Sequence, residues 1–306
     1  MKNKSINVKL QTIINIGAAI ILIPLILTLF IESPYIPTID EIFGKSGVYD
    51  NESECVTFLN VGEGDAILIR SNGRFVLIDT GDGKSTNIIR SLKQNGVKGL
   101  DALILTHWHN DHIGAAQEIM KEFPVMNLVS PRIPNSNEEA FDDAMAVNDA
   151  AEQCGVRFNT AVQGLAVNVG DFRLTVIYCN PENKDENNRS AIIMAKCRKY
   201  KFLFMADAEA SLEEEILDYG INLDCDVIKI AHHGSKNSNS KEFIEACTPS
   251  HAVISVGLKN QYGHPSDKVL DMLNSKKIAV YRTDLSGEID VNILEEQLEF
   301  SCALAS

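Results

Sequence analysis

The chain has 306 residues and a mass of 33.7 kDa, with 45% apolar and 23% charged residues, which excludes a disordered chain and leaves room for a large core. A formal charge of −14 and a pI near 4.9 give an acidic surface that repels polyanions at long range. Tight DNA binding over a broad basic face is therefore disfavoured; a local strip such as Lys236 or Arg282 offsets the repulsion only over a Debye length of about 8 to 10 Å.

The N-terminus differs from the rest. Lys2, Lys4 and Lys9 precede Ile13 to Ile31, an apolar run broken only by Asn15, Gly17, Pro24 and Thr28, which approaches the roughly 20 residues needed to span a bilayer. The following Phe30-Ile31-Glu32-Ser33-Pro34-Tyr35 is too bulky for a signal-peptidase site. The reading is a basic region over 1–9, an uncleaved signal-anchor over 10–31, a linker over 32–54 and a folded domain over 55–306. All 42 acidic residues lie beyond the anchor, so the expected protein is single-pass in the cell membrane with its domain outside.

Within the domain, strands are expected at Val56 to Leu59, Ala66 to Arg70 and Phe75 to Ile78, then a helix from Ser85 to Lys93 and a buried strand from Ala102 to Leu105. A helix from Ala115 to Met120 and a polar helical insert over Asn135 to Gln153 follow. The second half alternates strands at Arg173 to Ile177, Ala191 to Ala195, Lys201 to Met205, Asp226 to Ile230, His251 to Val256, Ile278 to Tyr281 and Glu288 to Ile293 with helices. Those helices are expected at Ala208 to Asp218, Lys241 to Glu245 and Ser266 to Asn274. The pattern predicts two packed sheets covered by helices. Seven cysteines, Cys55, Cys154, Cys179, Cys197, Cys225, Cys247 and Cys302, show no metal-binding spacing and read as core residues.

The chemistry concentrates in Thr106-His107-Trp108-His109-Asn110-Asp111-His112-Ile113-Gly114. Four ligand-competent side chains occupy six positions on a strand-to-helix loop, and three of the chain's seven histidines are among them. Imidazole and carboxylate are the donors that Zn2+ and its neighbours accept, and four so close suit a pair of ions. Two other strand ends supply donors: Asp207 after Phe202 to Met205, where an N-cap role is equally open, and His232-His233 after Val227 to Ile230. A carboxylate such as Asp207 can bridge two cations.

These motifs, with Phe58-Leu59-Asn60-Val61-Gly62-Glu63-Gly64-Asp65-Ala66, Leu77-Ile78-Asp79-Thr80-Gly81, Gly234-Ser235 and Tyr262-Gly263-His264-Pro265, resemble the metallo-β-lactamase superfamily. Within it they are similar to the hydrolase domain of ComEC-type competence proteins, over about Val56 to Ile293. The resemblance implies an α+β, four-layer αββα sandwich, here preceded by one N-terminal transmembrane helix, with two divalent cations, Zn2+ or Mn2+, at one sheet edge. It assigns His107 and His109 to the first cation, Asp111 and His112 to the second, and Asp207 between them. One of His232 and His233 completes the second site, with His233 preferred because adjacent residues of a strand point to opposite faces. Asp79 is then the carboxylate that orients a ligand histidine and fixes its tautomer.

Two departures stand out. No histidine lies between His112 and Asp207, where many members place a third ligand of the first ion; Asn187-Asn188-Arg189-Ser190 occupies that stretch, as in the competence-type proteins. Ala206 stands where the family usually has glycine. The missing histidine turns the expectation from lactam toward phosphoester hydrolysis by an activated hydroxide, with Asp111, Asp207 and His232 as catalytic residues. Asn188, Ser190, Ser235, Lys236 and His264 are the candidates for substrate contact. Expected partners are a phosphoester, DNA among the candidates, and the membrane through the N-terminal helix; no protein partner is deducible. The alternatives are a cell-surface teichoic-acid or phosphocholine phosphodiesterase, and a non-catalytic, metal-stabilised competence accessory module.

Overall fold

The computed structural model describes residues 53–83 and 88–303; the basic region, the anchor and nearly all of the linker lie outside them. Among the described residues no helix is long and apolar enough to cross a membrane.

Strict alternation of apolar side chains builds the sandwich. In β1 (Cys55–Phe58), β2 (Ile67–Ser71), β3 (Arg74–Ile78) and β4 (Ala102–Ile104), residues Val56, Phe58, Ile67, Ile69, Val76, Ile78, Ala102 and Ile104 share one buried cluster. Their neighbours Leu68, Phe75, Leu77 and Leu103 belong to another. A strand turns successive side chains to opposite faces, so both faces of this sheet are covered. Its full order is β15-β14-β1-β2-β3-β4-β5-β6, with β5 (Asn127–Ser130), β6 (Arg157–Thr160), β14 (Ile289–Ile293) and β15 (Leu298–Cys302).

The second sheet runs β13-β12-β11-β10-β9-β8-β7. Its members are β7 (Ala166–Val169), β8 (Phe172–Tyr178), β9 (Ile192–Cys197), β10 (Tyr200–Phe204), β11 (Val227–Lys229), β12 (His251–Ile254) and β13 (Ala279–Arg282). Phe202, Phe204 and Val227 face the first sheet, and Phe204 packs 6.2 Å from Phe58 across the interface. Leu203, Met205 and Ile228 face the outer helices. Helices α1 (Ile88–Gln94), α2 (Asn110–Ile113), α3 (Ala116–Glu122) and α4 (Phe141–Gln153) follow strands of the first sheet, and α5 (Ala210–Asp218), α6 (Lys241–Cys247) and α7 (Asp267–Ser275) those of the second. The result is two sheets face to face with helices on both outer sides.

Strands β3 to β6 pair in parallel, as do β10 to β13. Parallel strands end on a common edge, where chain reversals deliver the segments after β3, β4, β10, β11 and β12. All seven cysteines are free thiols.

Candidate metal centre

The segment after β4 is anchored before it reaches its donors. Asp79, one residue past β3 and buried, accepts the Thr106 amide at 2.8 Å and the Thr106 hydroxyl at 2.7 Å. The same carboxylate lies 2.8 Å from His112 Nδ1. Nδ1 thus carries the proton given to Asp79, and Nε2 is left as the ligand atom. Burial pushes the Asp79 carboxyl up, against the opposing pull of His112.

Asp111, His112, Asp207 and His233 bring one ligand atom each within 4.8 Å of one another. His112 Nε2 is 3.2 Å from Asp207 Oδ1, and His233 Nε2 is 3.3 Å from Asp111 Oδ2 and 3.7 Å from Asp207 Oδ1. His112 Nε2 and Asp207 Oδ1 are buried without a hydrogen-bond partner. Buried polar atoms left so are uncommon and call for an occupant. Two imidazole nitrogens and two carboxylates, convergent and with two of their buried atoms unpartnered, fit a divalent cation.

Electrostatics point the same way. Burial disfavours the imidazolium of His112, yet Asp207, Asp79 and Asp111 raise its pKa well above the usual value; burial likewise opposes charge on His233, which Asp207 and Asp111 lift to about 9. Asp111 and Asp207 resist the effect of burial because the histidines hold their carboxyls well below the usual range. The carboxylates therefore favour positive charge at this point.

His107 and His109 lie outside the compact set. They adjoin each other, His107 Nε2 being 3.2 Å from His109 Nδ1, and the His107 ring is 4.1 Å from that of His112. Burial, with His112 adding, holds the fully buried His107 neutral by lowering its pKa. Where a third histidine is absent, Ser190 is buried and its Oγ accepts the Asp207 amide at 3.3 Å.

His232 and His233 are on a tight turn rather than a strand. Both adopt left-handed backbone, with φ of 49° and 52°, so strand alternation is not what separates them. His233 Nδ1 donates to the Ser255 carbonyl at 2.9 Å and its Nε2 joins the donor set. His232, part exposed, has Nε2 3.7 Å from Asp207 Oδ2 and faces the cleft. Such strain is characteristic of functional segments.

Ala206 is also left-handed, at φ 46°, which explains why glycine suits the position. Ala206→Gly relieves about 1 to 2 kcal/mol of strain but loses about 0.8 kcal/mol of methyl burial and about 0.5 to 1 kcal/mol of chain entropy. The expected change in urea unfolding free energy is within about 1 kcal/mol; a loss above about 2 kcal/mol contradicts this account.

A cleft of about 760 Å3 opens over the donors, lined by Gly62, Glu63, Asp82, His109, Asn110, Asp111, Asn187, Asp207, His232, His233, Gly257, Leu258, Asn260, Gln261, Tyr262 and His264. His264 is thus placed for substrate. Asn188, Ser190, Ser235 and Lys236 are not on this wall. Asn188 is buried and its side chain accepts the Glu209 amide at 3.0 Å, Ser235 is buried and accepts the Asn237 amide at 3.3 Å, and Lys236 is exposed. Local sequence puts these four near the donors; the side chains of Asn188, Ser190 and Ser235 accept backbone amides of the loops that carry the donors, and that of Lys236 is exposed.

Other residues of the site have no metal-ligand motif to announce them. Glu186, buried, accepts the Trp108 amide at 2.9 Å and is held by Arg189 at 3.1 Å, which clamps the His107 to His109 segment from the opposite sheet. Glu63 accepts the Gly257 amide at 3.0 Å, joining the loop before β2 to the loop after β12. Asp65 and Lys229 form a buried ion pair of 2.7 Å.

Comparison with known proteins follows the geometry. ComE operon protein 3 of Bacillus subtilis is 34% identical over 257 residues, covering 76% of this chain and 32% of that protein. Competence protein ComA of Neisseria gonorrhoeae is 31% identical over 257 residues, covering 82% of this chain and 34% of that protein. The chain spans about a third of the length of these curated relatives. Among solved structures, CmlA, a diiron β-hydroxylase from Streptomyces venezuelae, shares the fold at a TM-score of 0.56 and 13% identity, covering 79% of this chain and 54% of that one. The family model described as the metallo-beta-lactamase superfamily matches residues 59–257, and with the two-sheet sandwich and its convergent donors it settles the kinship: this chain belongs to that superfamily, with competence proteins among its relatives.

Proposed function

We propose that this protein is an outward-facing, membrane-anchored phosphodiesterase of the nuclease type, related in chemistry to the competence proteins it resembles. The feature that carries the reading is the stretch where the resemblance expects a third histidine: Ser190 stands there instead, its Oγ accepting the Asp207 amide at 3.3 Å. On this reading His107, His109 and Asp207 are, among the described residues, the protein donors for a first cation, which keeps room for phosphate oxygens.

Divalent cations bound at these residues supply Lewis-acid stabilisation of phosphate charge and lower the pKa of water from 15.7 to about 7. The chain's own side chains do the rest. Asp111 and Asp207 stay anionic and fix the donor geometry. His232 faces the cleft beside Asp207 and is placed to pass a proton to a departing oxygen. His264, its ring 5.6 Å from that of His232, lines the same wall for substrate contact.

The cleft wall carries Glu63, Asp82, Asp111 and Asp207 and, among the described residues, no lysine or arginine. Phosphate is accepted there only once cations reverse the local charge. The same acidic wall, with Tyr262 64% exposed, favours a second reading in which the phosphodiester bears a cationic group such as choline.

The test is turnover of a bis-aryl phosphate, a fluorogenic DNA, a phosphocholine diester and a cephalosporin, by metal-stripped protein with Mn2+ or Zn2+ restored. Metal-dependent cleavage of the bis-aryl phosphate and of DNA is expected. Turnover of the cephalosporin alone sinks the proposal, and cleavage of the phosphocholine diester without DNA selects the second reading.

A further inference from the structure

The chemistry above leaves Lys229 and Asp65 unused. Lys229 ends β11, shares the inter-sheet face with Val227, and is fully buried. Its Nζ lies 2.7 Å from Asp65 Oδ2 and donates to the Ile230 carbonyl at 3.0 Å. Buried ion pairs can often be replaced by apolar groups without loss of stability, so stability alone is a weak reason for one here.

Asp65 has a second, unspent oxygen. Oδ1 is buried without a hydrogen-bond partner and lies 3.6 Å from His233 Nδ1, the nitrogen that turns away from the donor set. The main chain of Asp65 is equally close to the site: its amide donates to the Asp111 carbonyl at 3.2 Å, and its carbonyl accepts the Gly81 amide at 2.8 Å. The Nδ1 proton of His233 goes to the Ser255 carbonyl at 2.9 Å, so Asp65 Oδ1 backs the ring from 3.6 Å rather than bonding it as Asp79 bonds His112 Nδ1 at 2.8 Å.

We infer that Asp65, its carboxylate held by Lys229, is a positioning residue for His233, its charge backing the ring beside the Ser255 carbonyl that takes the Nδ1 proton. Lys229 fixes one carboxylate oxygen so that the other faces the imidazole, and the imidazole then presents Nε2 to the cation. This rests on the reading of Asp111, His112, Asp207 and His233 as a cation site.

The experiment is a Zn2+ titration of the metal-stripped full-length chain, with the melting temperature of each metal-free variant alongside. Asp65→Asn keeps the shape and is expected to bind Zn2+ about 10- to 100-fold more weakly, as loss of an outer carboxylate partner does elsewhere. Lys229→Met is expected to weaken binding in the same direction. The double variant should be no weaker than Asp65→Asn, because Lys229 acts through Asp65. Leu174→Ala, on β8, reports lost stability without lost positioning and should keep wild-type affinity. An ion pair that merely pins the sheets lowers the melting temperature while Zn2+ affinity stays within twofold of wild type, and that result overturns the inference. If a single variant does not fold, the neutral double variant decides by the same criterion. Failure of the wild-type chain to bind Zn2+ is a separate outcome, which overturns the cation site itself.

Discussion

Asp207→Asn is expected to abolish metal-dependent hydrolysis and to weaken cation binding by more than about 100-fold, beyond what loss of an outer partner costs. Its carboxylate lies beside three imidazoles: His112 Nε2 at 3.2 Å, His233 Nε2 at 3.7 Å and His232 Nε2 at 3.7 Å. The asparagine keeps the volume but carries no charge. Without that charge, the carboxylates holding protons on His112 and His233 are reduced by their largest contributor. Isothermal titration with Mn2+ or Zn2+, read beside circular dichroism, checks the prediction; a folded variant that binds cations as the wild type does contradicts it.

Gly64→Ala is expected to be the most damaging single methyl group in the site. Gly64 has φ +128°, and a Cβ there would lie 2.2 Å from the Asp111 carbonyl oxygen and 3.3 Å from Gly81 Cα, both backbone atoms that cannot rotate aside. Strain of about 1 to 3 kcal/mol and overpacking of about 1 to 3 kcal/mol together predict a loss of about 2 to 6 kcal/mol. Gly155→Ala provides the comparison, since Gly155 is left-handed at φ +69° with nothing within 4 Å, and should lose only about 1 to 2 kcal/mol. Because Gly64 presses on the segment that carries Asp111, activity should fall as well; a shift of about 1 Å in a reacting group costs on the order of 100-fold. Equal urea midpoints for the two variants contradict the close approach.

The sequence made the site's donors legible because metal ligands are chemically distinctive and fall at strand ends. Asp111, His112, Asp207 and His233 come from three such ends and their ligand atoms converge within 4.8 Å, with the His107 ring 4.1 Å from that of His112 and His107 Nε2 3.2 Å from His109 Nδ1. The alternating strands of the core were legible for the same kind of reason, from Val56 and Phe58 through Phe202 and Phe204, where period-two burial leaves a pattern. Strands β5, β6, β7 and β15 were not. β6 carries Arg157, Phe158 and Thr160 exposed, and β15 alternates only between exposed and part-buried positions, so neither offers the apolar period that marks a strand. Partners distant in sequence, Asp65 with Lys229 and Glu186 with Trp108, depend on how the sheets pack, and no local spacing encodes that. The same limit applies to Asn188, Ser190, Ser235 and Lys236, which do not line the cleft and whose side chains bind backbone or, for Lys236, are exposed. The turn at His232 and His233 was hidden because left-handed histidines follow from tertiary context rather than from propensity.

The most direct measurement is the rate of bis-aryl phosphate hydrolysis by the metal-stripped full-length chain as Mn2+ or Zn2+ is restored, with bound metal counted per chain. Hydrolysis that rises with bound metal, and is lost in Asp207→Asn at the same protein concentration, is the predicted result. A fully loaded, folded wild-type chain that cleaves no phosphodiester would contradict it.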